Sequence, residues 1–495
     1  MVGRRFVSLF ASVAVLSSCS GGDGGGSGAP SASTVTPTPA PTVTPTPTAS
    51  AGCTLRERQS WAAAQLNEWY LFPETLPANL DPTPYSTLSA YVDGLTATAR
   101  AQGRDRYFTY VTSIAEENAY YASGSSAGLG IRLTLDSSAR RLFVAESFEG
   151  APALAAGIDR GAEILAIGTT TANLQTIPSI IGVGGTDGIV NALGPDTNGT
   201  TRVLSIADGS GARLVTLTKT TYDVAPVSTR YGSSVINDAG HKVGYVNLRT
   251  FITTADDALR SAFANFRTQG ITEVIVDLRY NGGGLLSTAQ VLGNLLGGNR
   301  STSDVFAYQT FRPEKSSENE TQTFAPQPQS VSPTKIAFIG MGGTASASEL
   351  VINAFPPYLH GDAALIGTNT YGKPVGQIAL DRAACDDRLR VISFALQNAA
   401  HNANYYNGLA STVEKTCQAS DDLTHKFGDP QEASIRQSLD YLEGKSCTAI
   451  ATTASTASAS VRDSAIRFTT ADAAVQTLVA PDRPSPAQRE VPGLF

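Results

Sequence analysis

A serine in the run Gly343-Thr344-Ala345-Ser346-Ala347-Ser348-Glu349 stands 27 positions before a lysine in the run Tyr371-Gly372-Lys373-Pro374-Val375-Gly376-Gln377. These two residue types together can perform acyl transfer. A serine hydroxyl is a poor nucleophile until a neighbouring base takes its proton. Lysine is that base only when burial in an apolar site lowers its pKa, because desolvation disfavours the ammonium form. The serine follows a strand-type run and opens a helix-type one. An oxyanion formed beside Ser346 would therefore meet free backbone amides, that of Ala347 first, and the positive end of a helix dipole. Ser348 competes for the attacking role, and serines at this place also suit plain helix capping.

Upstream, Val274-Ile275-Val276-Asp277-Leu278-Arg279-Tyr280-Asn281-Gly282-Gly283-Gly284 is a short apolar run ending in a polar turn and three glycines. Glycine lets a backbone amide approach a ligand closely and take positive φ, which suits an oxyanion hole. Gly283 is taken as the donor, with Gly282 and Gly284 as alternatives. Arg279 is read as a brace of the turn. The four histidines, His241, His360, His401 and His425, fall in no metal-ligating spacing, so neither metal nor other cofactor is expected. A Ser-His-Asp triad through His360 or His401 stays open, since triad members need not be neighbours in sequence.

With the glycine, serine and lysine segments in that order, the chain resembles the S41 peptidases, the C-terminal processing or tail-specific proteases, over roughly residues 122 to 444. The resemblance implies an α/β fold class: a crotonase-like αβ protease core with an inserted PDZ-like β domain and a small N-terminal helical region. It implies Ser346 as nucleophile, Lys373 as general base and Gln377 as the residue that orients the lysine. Gly283 and Ala347 would supply the oxyanion hole. Pro374 departs from the glycine common after the family's lysine. The activity so implied is that of a serine endopeptidase cleaving exported polypeptides. A non-catalytic periplasmic PDZ-type binding or scaffold protein is the alternative, and a Ser-Lys amidase acting on a non-peptide amide is a second.

The PDZ-like part rests on Gly150 to Ile158 and Gly161 to Gly168, which resemble the centre of such a domain. Gly128-Leu129-Gly130-Ile131 would be its carboxylate-binding loop, where backbone amides capture a peptide end that adds a strand to the sheet. Ala162 stands where the family usually has Asp, and Ala172 to Gly199 reads as a long insertion. The apolar Gly493-Leu494-Phe495 resembles an end that such a loop accepts, which raises self-docking as a hypothesis.

Composition supplies the address. The chain has 495 residues, 41% hydrophobic and 16% charged, with formal net charge −7. That is enough for two or three domains and argues against a nucleic-acid partner. Arg4 and Arg5 precede an apolar stretch, Phe6 to Leu16, too short to span a bilayer. Leu16-Ser17-Ser18-Cys19 resembles a bacterial lipobox, which implies lipidation at Cys19, an anchor in the cell envelope and a catalytic body facing the periplasm or exterior. An ordinary cleaved signal peptide is the alternative. Residues 20–51 are a Pro/Thr/Gly tether that cannot bury enough apolar surface to fold. Cys53, Cys385, Cys417 and Cys447 form an even set in an exported chain and favour two disulfides. Three connectivities are open, with Cys385–Cys417 and Cys53–Cys447 the working expectation.

The resulting map is a signal over 1–19, a tether over 20–51, a helical region over 53–120, a PDZ-like domain over 122–225, a catalytic core over 226–447 and a tail over 448–495. Within the core, strands alternate with helices, as a largely parallel sheet requires. The N-terminal helices are expected to be packing scaffold, and Ser301 to Pro333 a surface loop. Natural substrates and oligomeric state are not legible.

Overall fold

The structure is a computed structural model that describes residues 51–451, 475–478 and 484–495. The expected signal, Cys19 and nearly all of the tether lie outside the described residues. No helix among the described residues is long and apolar enough to cross a membrane.

Thr54 and Glu57 cap each other's backbone to open α1 (Leu55–Trp69). Ala62 and Leu66, one helical turn apart, are fully buried together with Leu88 and Val92 of α2 (Leu88–Leu95). The chain then enters β1 (Tyr110–Ser113) and α3 (Ile114–Ser123).

A β-rich unit follows. Its strands are β2 (Ile131–Asp136), β3 (Arg141–Ser147), β4 (Glu163–Gly168), β5 (Thr201–Asp208) and β6 (Gly211–Thr218), paired antiparallel in that order. The stretch read as an insertion supplies α4 (Ile177–Leu193). Ile189, Val190 and Leu193 of α4 share an apolar cluster with Leu129, Ile131 and Leu133. Pro178 and the intervening glycines hid this helix from a periodicity reading, and Gly185 does break its regularity with a positive φ.

The central sheet has the order β7 (Ser233–Asp238), β8 (His241–Asn247), β9 (Glu273–Asp277), β11 (Lys335–Gly340), β12 (Ala363–Gly367), β15 (Lys415–Gln418). Only the β7/β8 pair is antiparallel. Its connections are α5 (Ala255–Thr268), α6 (Leu286–Leu296) and α7 (Ala347–Ala354), and α8 (Ala433–Leu442) follows the last strand. Leu259, Phe263 and Phe266 of α5 bury with Val246, Val274 and Phe338 of the strands. This is the apolar stripe that the helical spacing demands. The residues singled out in the sequence accordingly lie beyond the carboxyl ends of parallel strands, Arg279 to Gly284 after β9 and Ser346 after β11.

A second, antiparallel sheet holds β1, β10 (Val305–Phe311), β13 (Val375–Arg382) and β14 (Asp387–Gln397), with Glu320–Thr323 at its edge. The segment read as a loop from Ser301 to Pro333 thus contributes two strands. Val305 to Tyr308 is an apolar, strand-type run within a polar stretch, the Glu320–Thr323 edge is polar, and Phe306 and Ala307 bury on the main core. Leu389, Val391 and Ile392 of β14 pack with Leu66 and Val92, so the helical region sits on this sheet. Two further short elements are β16 (Val475–Thr477) and α9 (Pro486–Glu490).

The disulfides correct the expected pairing. Cys53 joins Cys385, with Cα atoms 5.5 Å apart, and Cys417 joins Cys447 at 5.4 Å. The first ties the entry of α1 to the antiparallel sheet, and the second ties β15 to the chain after α8. Contacts formed by folding set these partners, whereas sequence separation only enumerates them. Replacing Cys53 and Cys385 together by alanine is expected to cost about 2–4 kcal/mol. The measurement is the denaturant midpoint under non-reducing conditions, and an unchanged midpoint would refute a stabilising role.

Candidate active site

Ser346 sits on a sharp strand-to-helix turn between β11 and α7, with φ of 54°. A non-glycine residue at positive φ is strained, and such strain collects at functional sites. The turn is held by Glu349, three residues on and completely buried. One Glu349 oxygen accepts from the Ser346 N–H at 3.2 Å and from the Lys373 N–H at 2.7 Å. The other accepts from Thr370 Oγ1 at 2.6 Å and from the Gly372 N–H at 2.7 Å. A single carboxylate therefore fastens the serine turn to the lysine loop. Its burial raises the carboxyl pKa, and these hydrogen bonds oppose that rise. Ser348 is fully buried, and its hydroxyl donates to the Asn281 carbonyl at 3.0 Å. Its proton is thereby committed to structure.

Lys373 presents its amine to Gln377, whose Oε1 accepts at 3.0 Å. The Gln377 amide nitrogen donates to the Phe108 carbonyl, which fixes the end that faces the lysine. The amine lies over the Phe108 ring, 5.2 Å from its centre, and burial pushes its pKa below the usual lysine value. Arg106 donates to the carbonyls of Tyr371, at 2.8 Å, of Gly372, at 2.5 Å, and of Tyr406, at 3.0 Å, clamping the turn before the lysine. The helical region expected to be scaffold alone thus leads into two residues that set the lysine. Pro374 fits the loop, its carbonyl accepting from Leu396 at 2.9 Å.

The glycine turn lies against the serine. A side-chain carbon on Gly283 would come within 2.8 Å of Ser346 Cβ, and the Gly283 φ of 120° favours glycine in any case. The Gly283 N–H, expected as an oxyanion donor, is engaged by Asn281 Oδ1 at 2.9 Å. The neighbouring Gly282 N–H instead donates to the Glu490 carbonyl at 2.9 Å. Ala347 is the first residue of α7, where the amide has no intrahelical acceptor. Arg279 is completely buried and donates to Asp277, Asp421 and Glu432, bracing the turn as its sequence position suggested.

Among the described residues no histidine hydrogen-bonds Ser346. His360 pairs with Glu414 on the surface, and His401 stacks on Tyr308 and bonds Gln397. The loop Gly128 to Ile131 leads into β2, where the amides of Gly130 and Ile131 donate to the backbone oxygen of Phe495 at 2.8 and 3.1 Å. Glu349, Arg106 and Phe108 are the residues that sequence reasoning missed. Glu349 stood inside the serine motif and was legible as a capping partner, whereas Arg106 and Phe108 are remote in sequence from everything they hold.

A sequence profile of Peptidase family S41 matches residues 242–402. The carboxyl-terminal-processing protease of Picosynechococcus is 27% identical over 252 residues, 51% of this chain and 55% of that protein. The chloroplastic carboxyl-terminal-processing peptidase 3 of Arabidopsis thaliana is 26% identical over 342 residues, covering 67% of this chain and 60% of the relative. The chain thus spans little more than half the length of these curated relatives. A crystal structure of an S41 protease from Bacteroides fragilis shares the fold, with a TM-score of 0.59 at 22% identity over 78% of this chain and 97% of that one. Over the matched core this chain is similar to the peptidases of family S41, and it shares the fold of one of them.

Proposed function

We propose that the protein is a serine endopeptidase in which Ser346 and Lys373 form the catalytic pair. The observation that carries this reading is the Glu349 carboxylate, whose one oxygen binds the main chain of both residues. The neutral Lys373 amine takes the Ser346 proton as Oγ attacks the scissile carbonyl. The tetrahedral oxyanion is held by main-chain donors at Ala347 and at the glycine turn. Of the turn's amides, Gly282 is favoured over Gly283, because it already holds a carbonyl while Gly283 serves Asn281. Lys373 then returns the proton to the departing amine, and water resolves the acyl-enzyme by the same steps. Gln377 keeps the amine aimed, and Arg106 and Phe108 keep the loop and Gln377 in place.

The unit around β2 to β6 is assigned as the PDZ-like domain that takes polypeptide ends at Gly128 to Ile131. A lipid anchor at Cys19 and an address in the cell envelope complete the reading, and the two disulfides suit an oxidising compartment. The contrary reading, a binding protein with an inert core, leaves the desolvated lysine and its two dedicated supports without a purpose.

With the full chain and a denatured protein substrate, Ser346→Ala and Lys373→Ala are each expected to lower cleavage by at least about 10³-fold. Ser348→Ala is expected to keep it within about tenfold of the parent. Equal cleavage by all variants removes the assignment. Glu349→Gln places an amide nitrogen against N–H donors and is expected to lower kcat by at least about tenfold while the far-UV spectrum stays native. The base must be unprotonated and its pKa is depressed. Activity should therefore climb as pH rises through that depressed value, with the midpoint below the ordinary lysine value of about 10.4. A pH–rate profile with its midpoint at or above that value would contradict a buried lysine base.

A further inference from the structure

Residues 484–495 lie across two features at once. At one end, the Phe495 N–H donates to the Ile131 carbonyl at 2.8 Å, and the Leu133 N–H donates to the Gly493 carbonyl at 2.9 Å. With the two bonds from Gly130 and Ile131, Leu494 becomes a cross-strand partner of Arg132. This is strand addition to a sheet edge, the geometry by which extended peptides are captured. The Phe495 side chain joins the cluster of Leu129, Ile131, Ile189 and Leu193. The upstream anchor is Gln488, whose amide donates to Asp196 at 2.5 Å and to the Leu494 carbonyl at 3.2 Å.

At the other end, the same segment enters the serine–lysine site. The Glu490 carbonyl takes the Gly282 N–H, and its carboxylate accepts from the Tyr121 hydroxyl at 3.0 Å. The Arg489 guanidinium sits over Tyr110, its central carbon 3.6 Å from the ring centre. The cavity left there is about 30 Å³, lined by Phe108, Gly282, Ala345, Lys373, Arg489 and Glu490. That holds a water molecule and excludes a peptide. Burial lowers the Lys373 pKa, but the Glu490 carboxylate is the largest influence opposing it and favours the charged amine, which is not a base.

We propose that residues 484–495 are a tethered pseudo-ligand that fills the peptide groove and the serine–lysine site of their own chain, so that a polypeptide with an apolar end enters by displacing them. The inference rests on the peptidase reading above and adds its regulation. A tethered segment competes at an effective concentration that short linkers bring to the millimolar range. The apparent affinity for any outside polypeptide falls by the fraction of molecules left open.

The test inserts a site for a sequence-specific protease between Leu478 and Pro484 in the full chain, cut only after folding. Leu494→Asp is added in a parallel version to weaken the hold of the released segment. The cut protein, checked by its melting curve, is expected to cleave denatured casein with a kcat/KM at least about tenfold above the uncut chain. A fluorescent peptide of residues 484–495 is expected to bind the cut Leu494→Asp protein and inhibit it, and to bind the uncut parent chain at least about tenfold more weakly. Unchanged kcat/KM in a folded protein freed of the segment overturns the inhibitory role. Equal peptide binding to cut and uncut chains overturns occupancy of the groove. If no form cleaves casein, the peptidase reading has failed, and the binding arm still decides whether the groove is filled.

Discussion

The site depends on one buried carboxylate. Glu349 faces four donors, two of them the main-chain amides of Ser346 and Lys373, and it is this group that converts two separate loops into one site. Buried carboxylates are costly unless their lone pairs are matched by donors. Here the matching is what sets the geometry: any rearrangement that parts the serine turn from the lysine loop strands a charge inside the protein. The mutual placement of the serine turn and the lysine loop is therefore enforced by the cost of unmatched buried acceptors as well as by packing.

Around that carboxylate the supports come from three parts of the fold. The parallel sheet delivers the serine and glycine turns from adjacent strands, β11 and β9, and Asn281 joins them by accepting from Gly283, Ala345 and Ser348. The antiparallel sheet delivers Gln377, and the N-terminal helices lead into Arg106 and Phe108. The first disulfide closes this last connection, since it fastens the start of α1 to the sheet that carries the lysine's partner.

What was readable in the chain follows from the range of the forces involved. The βα alternation of the core came through because its strands are continuous apolar runs and its helices have one apolar face, both local patterns. The serine, lysine, glutamine and glycine segments were readable as local motifs, each lying within a few residues. Gly283 was singled out for its freedom of φ, which it uses, but the direction of its N–H is decided by the Asn281 side chain. The strands inside Ser301 to Pro333 and helix α4 were missed for the polar residues and glycines around them, whereas the disulfide partners and the Arg106 clamp were not readable because tertiary neighbours specify them, for the clamp 265 to 300 positions away.

The strained backbone of Ser346 has a thermodynamic corollary. At a φ of 54° glycine is the residue the backbone prefers, because every other side chain is penalised for its Cβ there. The most stable version of this turn is thus one that lacks a hydroxyl altogether. Under the role proposed for Ser346, the hydroxyl is kept against that preference, so function and folding free energy pull in opposite directions at this position.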